Sequence, residues 1–368
     1  MLEQEEGVLC FIREKRSETL RKECCRDAVA AKITRSAAAS WRDACCSIAS
    51  NEQTESCLHM KHRIAPLIAL AVLTLGGCGS ITSTSTATEK PLFATDAIGT
   101  SITLPKTAPQ HIIALGATDS EILGALGLDS RVVAVDSFTN YPASFASKPK
   151  VTDNNGKPNI EQIVAMKSDL VLSFGGELAD ADKQLLQNGI TVVDLPTEDI
   201  AGSLKEIRLV GQLTDTESAA NALVASMQHR IDAVTQKVAK AAPVSVYMEI
   251  GYMPAPIYAF GGGSFGDALA TLAAGKNIFS ANTQGGGFPP VSEESIIAAN
   301  PQVIILTEDV LYGGDPTAVA QRSGWAQIAA VQAHHVYAIN PDTIQRPGPR
   351  IVDGLEQLAK DLHPELFP

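Results

Sequence analysis

The apolar positions of this chain change period along its length, and the changes mark out its elements. Short unbroken apolar runs at 111–115, 131–135, 169–174, 190–194, 244–250, 302–307 and 335–339 suit strands buried on both faces. Stretches of three- and four-residue spacing separate them and suit helices. They fall at Thr118 (as cap) to Leu126 with Gly127 as the stop, at 178–188, 199–212, 265–274, 316–330 and 350–362. Residues 92–104 alternate around Asp96-Ala97-Ile98-Gly99 and suit a hairpin. Strands alternating with helices predict an α/β fold with parallel pairing and right-handed crossovers. The longest helical pattern, 215–240, places Ala219, Ala222, Leu223, Met227, Ile231, Val234 and Val238 on one stripe, and Pro243 follows it. A helix of that length crosses between two lobes.

One pattern occurs twice. Asn159-Ile160-Glu161-Gln162-Ile163-Val164-Ala165 runs on to Leu170-Val171-Leu172, and Ser292-Glu293-Glu294-Ser295-Ile296-Ile297-Ala298 runs on to Val303-Ile304-Ile305. Asn159 and Ser292 are N-cap residues, with capping partners expected three residues on, at Gln162 and Ser295. Glu161 and Glu294 each lie one place before that partner, so capping leaves both carboxylates free. The chain therefore reads as two Rossmann-like α/β lobes, 92–213 and 243–368, joined by one long helix over 214–242.

The 368 residues suit about two domains. A net charge of −12 with no basic block argues against nucleic-acid binding. Six of the seven cysteines, Cys10, Cys24, Cys25, Cys45, Cys46 and Cys57, precede residue 58, and Cys78 is the last. The segment beyond it therefore has no disulfide, thiolate metal site or cysteine nucleophile. Met60-Lys61-His62-Arg63 followed by a twelve-residue apolar core at 64–75 reads as a secretory signal, too short to span a bilayer. Leu75-Gly76-Gly77-Cys78 reads as a lipobox, with Cys78 the lipid-modified residue after removal of 60–77. Residues 1–59 then lie ahead of the expected start at Met60 and are read as an over-extended gene start. Residues 78–91, rich in Ser and Thr, suit a flexible tether. The 11 basic and 10 acidic residues before Cys78 leave 18 against 31, a mature charge of −13.

Several loops carry candidate chemistry. The loop 136–158 holds Phe138, Asn140, Tyr141 and Asn155, and long loops in compact domains are often functional. The loops 251–263, 285–290 and 340–349 hold Tyr252, Phe288, Asp342, Gln345 and Arg346, and parallel strands would present them on one edge.

Taken together, the segments IIALGATDSEILGALGL, SFTNYP, KPNIEQIVAMKSDLVLSF, FPPVSEESIIAANPQVIIL, HHVYAINPD and RPGPRIVDGLEQLAK resemble the iron-siderophore and vitamin B12 substrate-binding proteins of ABC importers. The resemblance covers about residues 90–368. It implies the helical-backbone binding-protein fold, with ligand in the cleft between the lobes. It further implies docking of Glu161 and Glu294 on arginines of an ABC permease dimer that works with its ATPase subunits. The 342–350 and 288–292 segments are similar to those of cobalamin-binding members, in which an aromatic at the place of Phe288 lies against the corrin. Polar side chains near Asp342 and Arg346 there meet its amides. Phe138, Asn140 and Tyr141 match the first-lobe loop, whereas Asn155 stands where some members have Trp. The expected protein is an extracytoplasmic monomer, lipid-anchored to the membrane through Cys78, without cofactor or resident metal. It carries cobalamin or another metal chelate, a ferric siderophore or haem being the alternatives. A triply anionic iron chelate would want several arginines, and only Arg346 and Arg350 lie in these loops. Haem would want a ligand such as Tyr252.

Gly262-Gly263-Ser264-Phe265-Gly266 also fits G-x-S-x-G, with Asp309 or Asp315 and His334, His335 or His363 later in the chain. A lipid-anchored serine hydrolase built on Ser264 is the rival reading. The plainer one is a glycine loop that lets backbone approach a ligand.

Overall fold

A computed structural model describes residues 93–95, 101–174, 176–196 and 199–368. The expectations for 1–59, the signal 60–77, Cys78 and the tether 78–91 lie outside these residues. The described residues belong to one compact unit.

Strands β1 (Phe93–Thr95) and β2 (Ser101–Thr103) pair as an antiparallel hairpin. There follow β3 (Ile112–Ala114), α1 (Ala117–Ala125), β4 (Val132–Val135), α2 (Ala143–Ala146), α3 (Ile160–Ala165), β5 (Leu170–Ser173), α4 (Ala179–Gln187), β6 (Thr191–Asp194) and α5 (Ile200–Thr214). The four strands form a parallel sheet in the order β4-β3-β5-β6. Alternate residues serve opposite faces. Ile112, Leu170, Leu172 and Val193 join one core with Ile122, Leu123 and Ile207, while Ile113, Val171 and Ala134 join another with Ile163 and Leu185. Both faces are thus covered, as a parallel sheet requires.

α6 (Glu217–Val238) is 22 residues long, about 33 Å at 1.5 Å per residue. Its buried stripe is Ala220, Val224, Met227, Ile231, Val234 and Val238. Ala219 and Ala222 are exposed and Leu223 is half-buried, so the stripe starts one residue off the expected one. The helix packs on α5 at one end and on the last helix at the other. One core therefore continues from the first sheet past α6 into the second.

The second half holds β7 (Val244–Gly251), β8 (Ile257–Ala259), α7 (Phe265–Leu272), β9 (Gly275–Asn277), β10 (Pro290–Val291), α8 (Glu293–Ala299), β11 (Val303–Leu306), α9 (Ala329–Gln332), β12 (Val336–Ala338), α10 (Pro341–Ile344) and α11 (Ile351–Leu362). Its sheet runs β10-β8-β7-β11-β12, with β9 beside the start of β7. β8 and β10 are antiparallel and close one edge. Arg230 ties α6 to α11 through Glu356 and Asp353, at 2.7 and 2.6 Å.

Three local expectations change. Gly116, not Thr118, is the N-cap of α1. The pattern at 316–330 is not one helix but two 3-10 turns, Val319–Gln321 and Trp325–Gln327, broken at Gly324 with φ +77°. The loop 285–290 meets the 251–263 loop at the latter's far end, where the Gly261 N–H donates to the Gly287 carbonyl at 2.8 Å. The end of 285–290 forms β10, and the Phe288 ring packs 5.9 and 5.7 Å from those of Phe260 and Phe265.

Candidate functional site

The loops after β3, β4, β5 and β6 open on a cavity of about 910 Å³. Phe138 and Phe174 stand in its wall, 54% and 41% exposed, with Asn155 and Gln184 beside them. The Phe138 loop is held rather than loose. Ser137 donates to the Asp153 carbonyl at 2.7 Å, the Phe138 N–H donates to Asp136 at 3.0 Å, and the Thr139 hydroxyl also donates to Asp136. Asp153 in turn accepts from the Asn155 N–H at 2.8 Å. The loops after β7 and β11 line a second recess of about 600 Å³ with Tyr258, Glu308 and Tyr312. The segment 341–347 borders both, giving Pro347 to the first and Pro341 and Gln345 to the second.

Between these walls the two halves are bonded to each other. Asn140 donates to Asp342 and accepts from Arg346, both at 2.8 Å, and Arg346 pairs with Asp342 at 2.8 Å. Arg350 forks onto Glu121 at 2.9 and 2.5 Å and lies 4.1 Å from the centre of the Tyr141 ring. Glu121 is only 1% exposed. Burial pushes its carboxyl above the ordinary range, and the Arg350 hydrogen bonds pull it part of the way back. Asn140, Tyr141, Asp342 and Arg346, from loops of both halves, are thus brought together. Glu121 completes the group and was missed; it stands at the head of the apolar run ILGALGL, just after Asp119 and Ser120.

Other expected residues lie elsewhere. Gln345 is turned inward and donates to the Thr307 carbonyl at 2.5 Å. The Tyr252 hydroxyl is bonded to Glu293 and its ring sits 3.8 Å under the Arg322 guanidinium, so neither is free to meet a haem iron. Ser264 is 5% exposed. Its hydroxyl caps α7 through the Asp267 N–H and donates to the Gly261 carbonyl at 2.7 Å, which is a helix-capping role. The neighbouring glycines make room for the chain itself. A Cβ on Gly261 would sit 2.3 Å from the Asn282 carbonyl. Asn159 and Ser292 cap α3 and α8 through the N–H groups of Gln162 and Ser295, leaving Glu161 and Glu294 exposed in matching first turns. Its own backbone N–H, and then the Ser292 hydroxyl, hold the Glu294 carboxyl below its usual range.

Behind the second wall lies a buried charge group. Arg322 forks onto Glu249, itself 0% exposed, at 2.8 Å to each oxygen. Glu308 lies beside them with one oxygen that no protein donor reaches. Burial, then hydrogen bonding with Glu249, pushes Glu308 up to about 9, so at neutral pH it carries a proton that satisfies the pair. The unfolded chain gives that proton up near the ordinary 4.5. Stability should therefore fall as pH rises across the window from about 4.5 to about 9 and level off above it. Glu308→Gln keeps a donor and should flatten this part of the urea-denaturation profile; an unchanged slope would refute the assignment.

Among the described residues no group of three or more His, Cys, Asp or Glu is placed to hold a metal, and no helix is long and apolar enough to cross a membrane.

The chain is 32% identical over 313 residues to YvrC, an uncharacterized ABC transporter substrate-binding lipoprotein of Bacillus subtilis, covering 82% of this chain and 96% of that one. A possible iron-binding (periplasmic solute-binding) protein of Staphylococcus epidermidis superposes with a TM-score of 0.60 at 30% identity, covering 69% of this chain and 99% of the other. The periplasmic vitamin B12 binding protein BtuF of Vibrio cholerae superposes with a TM-score of 0.60 at 26% identity, covering 70% and 97%. Residues 112–343 match the sequence profile of the periplasmic binding proteins, and the chain belongs to that family.

Proposed function

We propose that this protein is the extracytoplasmic substrate-binding lipoprotein of an ABC importer, anchored through Cys78, and that its substrate is a corrinoid, most simply cobalamin. The observation that carries the substrate is the state of the arginines at the cleft. Arg346 is matched by Asp342 and Asn140, and Arg350 by Glu121. Neither is left for the several charge-assisted bonds that a triply anionic iron chelate requires. Lys157 lines the first cavity, but Asp136 and Asp180 line it too. What remains is aromatic surface at Phe138 and Phe174 with the amides of Asn155 and Gln184, which suits a bulky, nearly neutral, amide-rich ligand. Both relatedness to the Bacillus lipoprotein and the expected lipobox support the anchor.

Haem is the second reading, and one feature favours it: Tyr258 and Tyr312 are 42% and 52% exposed in the second recess, where a phenolate can reach iron. Calorimetric titration of residues 79–368 with cyanocobalamin, hemin and a ferric hydroxamate separates these. Sub-micromolar binding of the corrinoid alone is expected. Binding of hemin instead, lost in Tyr258→Phe or Tyr312→Phe, would move the assignment to haem.

A further inference from the structure

We propose that the amino end of α1, with the buried carboxyl of Asp119 behind it, is a hydrogen-bond-donor site for an acceptor oxygen of the ligand. α1 has nine residues, and its N-cap, Gly116, has no side chain to cap it. Gly116, Ala117 and Thr118 are part-exposed and line the 910 Å³ cavity. The first N–H groups of a helix have no partner within it and make that end electropositive.

Asp119 supplies an independent observation. It is 2% exposed, it lines the same cavity, and its Oδ2 has no hydrogen-bond partner. Burial raises this carboxyl's pKa, and the Gly116 N–H pulls it part of the way back down. A buried polar atom left unpaired costs free energy, so native structures rarely keep one without a use. Its route to the cavity passes over Gly116. A Cβ at that position would sit 2.8 Å from Oδ2 and 3.5 Å from the ring of Phe174, so the lack of a side chain there leaves the oxygen next to exposed aromatic surface.

The proton on this carboxyl gives the site its sign. Burial raises Asp119 well above the ordinary range, and the carboxylates of Glu206 from α5, Asp136 from the loop after β4 and Asp194 at the end of β6 raise it further. Lys150 and Arg346 act on Asp136 from the far side. A protonated carboxyl donates, where an ionised one only accepts. Helix N–H groups and an acid O–H facing one point select an oxygen that accepts. This rests on the corrinoid reading, since both the amide carbonyls and the phosphodiester of cobalamin offer such an oxygen.

The test compares wild type, Asp119→Asn, Asp119→Ala and Gly116→Ala, each checked for folding by thermal melting. Each is titrated with cyanocobalamin from weakly acid to alkaline pH. Wild-type affinity should fall on the alkaline side as the carboxyl ionises. Asp119→Asn keeps a donor and should bind within a few-fold at neutral pH without that fall. Asp119→Ala should lose about tenfold, one hydrogen bond's share of affinity. Gly116→Ala should show a similar loss with Asp119 intact. Neutral-pH binding by Asp119→Ala equal to wild type, or an alkaline fall that persists whole in Asp119→Asn, would overturn the proposal. Dicyanocobinamide, which lacks the phosphodiester, names the oxygen: the same alanine loss with it means an amide, and loss confined to cyanocobalamin means the phosphodiester. Should hemin or a ferric hydroxamate bind in place of both corrinoids, the cobalamin reading fails, and the same variants titrated with that chelate decide Asp119 separately.

Discussion

Replacing Glu161 and Glu294 together by alanine is expected to reduce import to background while leaving ligand affinity unchanged. Each carboxylate stands exposed in the first turn of its helix, two residues after a cap made by Asn159 or Ser292. Neither side chain lines the cavity or the recess, so ligand affinity is expected to be untouched. If each meets a permease arginine, losing one charge-assisted bond weakens docking by about tenfold or more, and losing both compounds the effect. Uptake of labelled cyanocobalamin by cells carrying the variant, beside calorimetry on the purified protein, reads the two quantities apart. A parallel fall in affinity and uptake would place these residues in the ligand site instead. Full uptake by the double variant would remove them from docking altogether.

Those two helices show why some of this protein could be read in advance. A cap acts across three residues, so the roles of Asn159 and Ser292 lie wholly in the local sequence. The apolar runs at 112–114 and 303–306 are equally local, because burial on both faces removes any need for polar alternation. Local slips remain, such as the α1 cap at Gly116 and the break at Gly324, but the departures around the site are of longer range. Ser264 and its glycines imitate a nucleophile elbow, yet what decides their role is the backbone of 280–282, which passes close enough to exclude a Cβ. Phe288 was expected to face ligand because the resemblance places an aromatic there against the corrin. Phe260 and Phe265 take part of its surface instead. Tyr252 was read as available for iron, and Arg322, seventy residues away in sequence, stacks on it. The bond between Glu121 and Arg350 spans 229 residues, and no pattern within either segment names the other.

That last bond carries the largest expected effect on stability. Arg350→Met should destabilise the protein by about 3–5 kcal/mol, because it leaves Glu121 at 1% exposure with its chief counter-charge removed. Arg346 stays 3.7 Å away, but it is already engaged by Asp342 and Asn140 and compensates only in part. The pH dependence should change with it. Glu121 lies above its ordinary value because burial outweighs the pull of Arg350, so its contribution is full below about 4.5 and is lost as pH rises. Without Arg350 the loss should extend to higher pH, and the variant should regain stability on mild acidification by more than the parent does. Glu121→Leu with Arg350→Met removes both charges and should recover most of the cost, as replacing a whole buried pair often does. Urea denaturation of the parent, Arg350→Met, Glu121→Leu alone and the double variant at two pH values gives the coupling energy directly. A coupling below about 1 kcal/mol would mean that the bridge contributes little to holding the halves together, and that the continuous core past α6 and the Asn140 contacts with Asp342 and Arg346 do so instead.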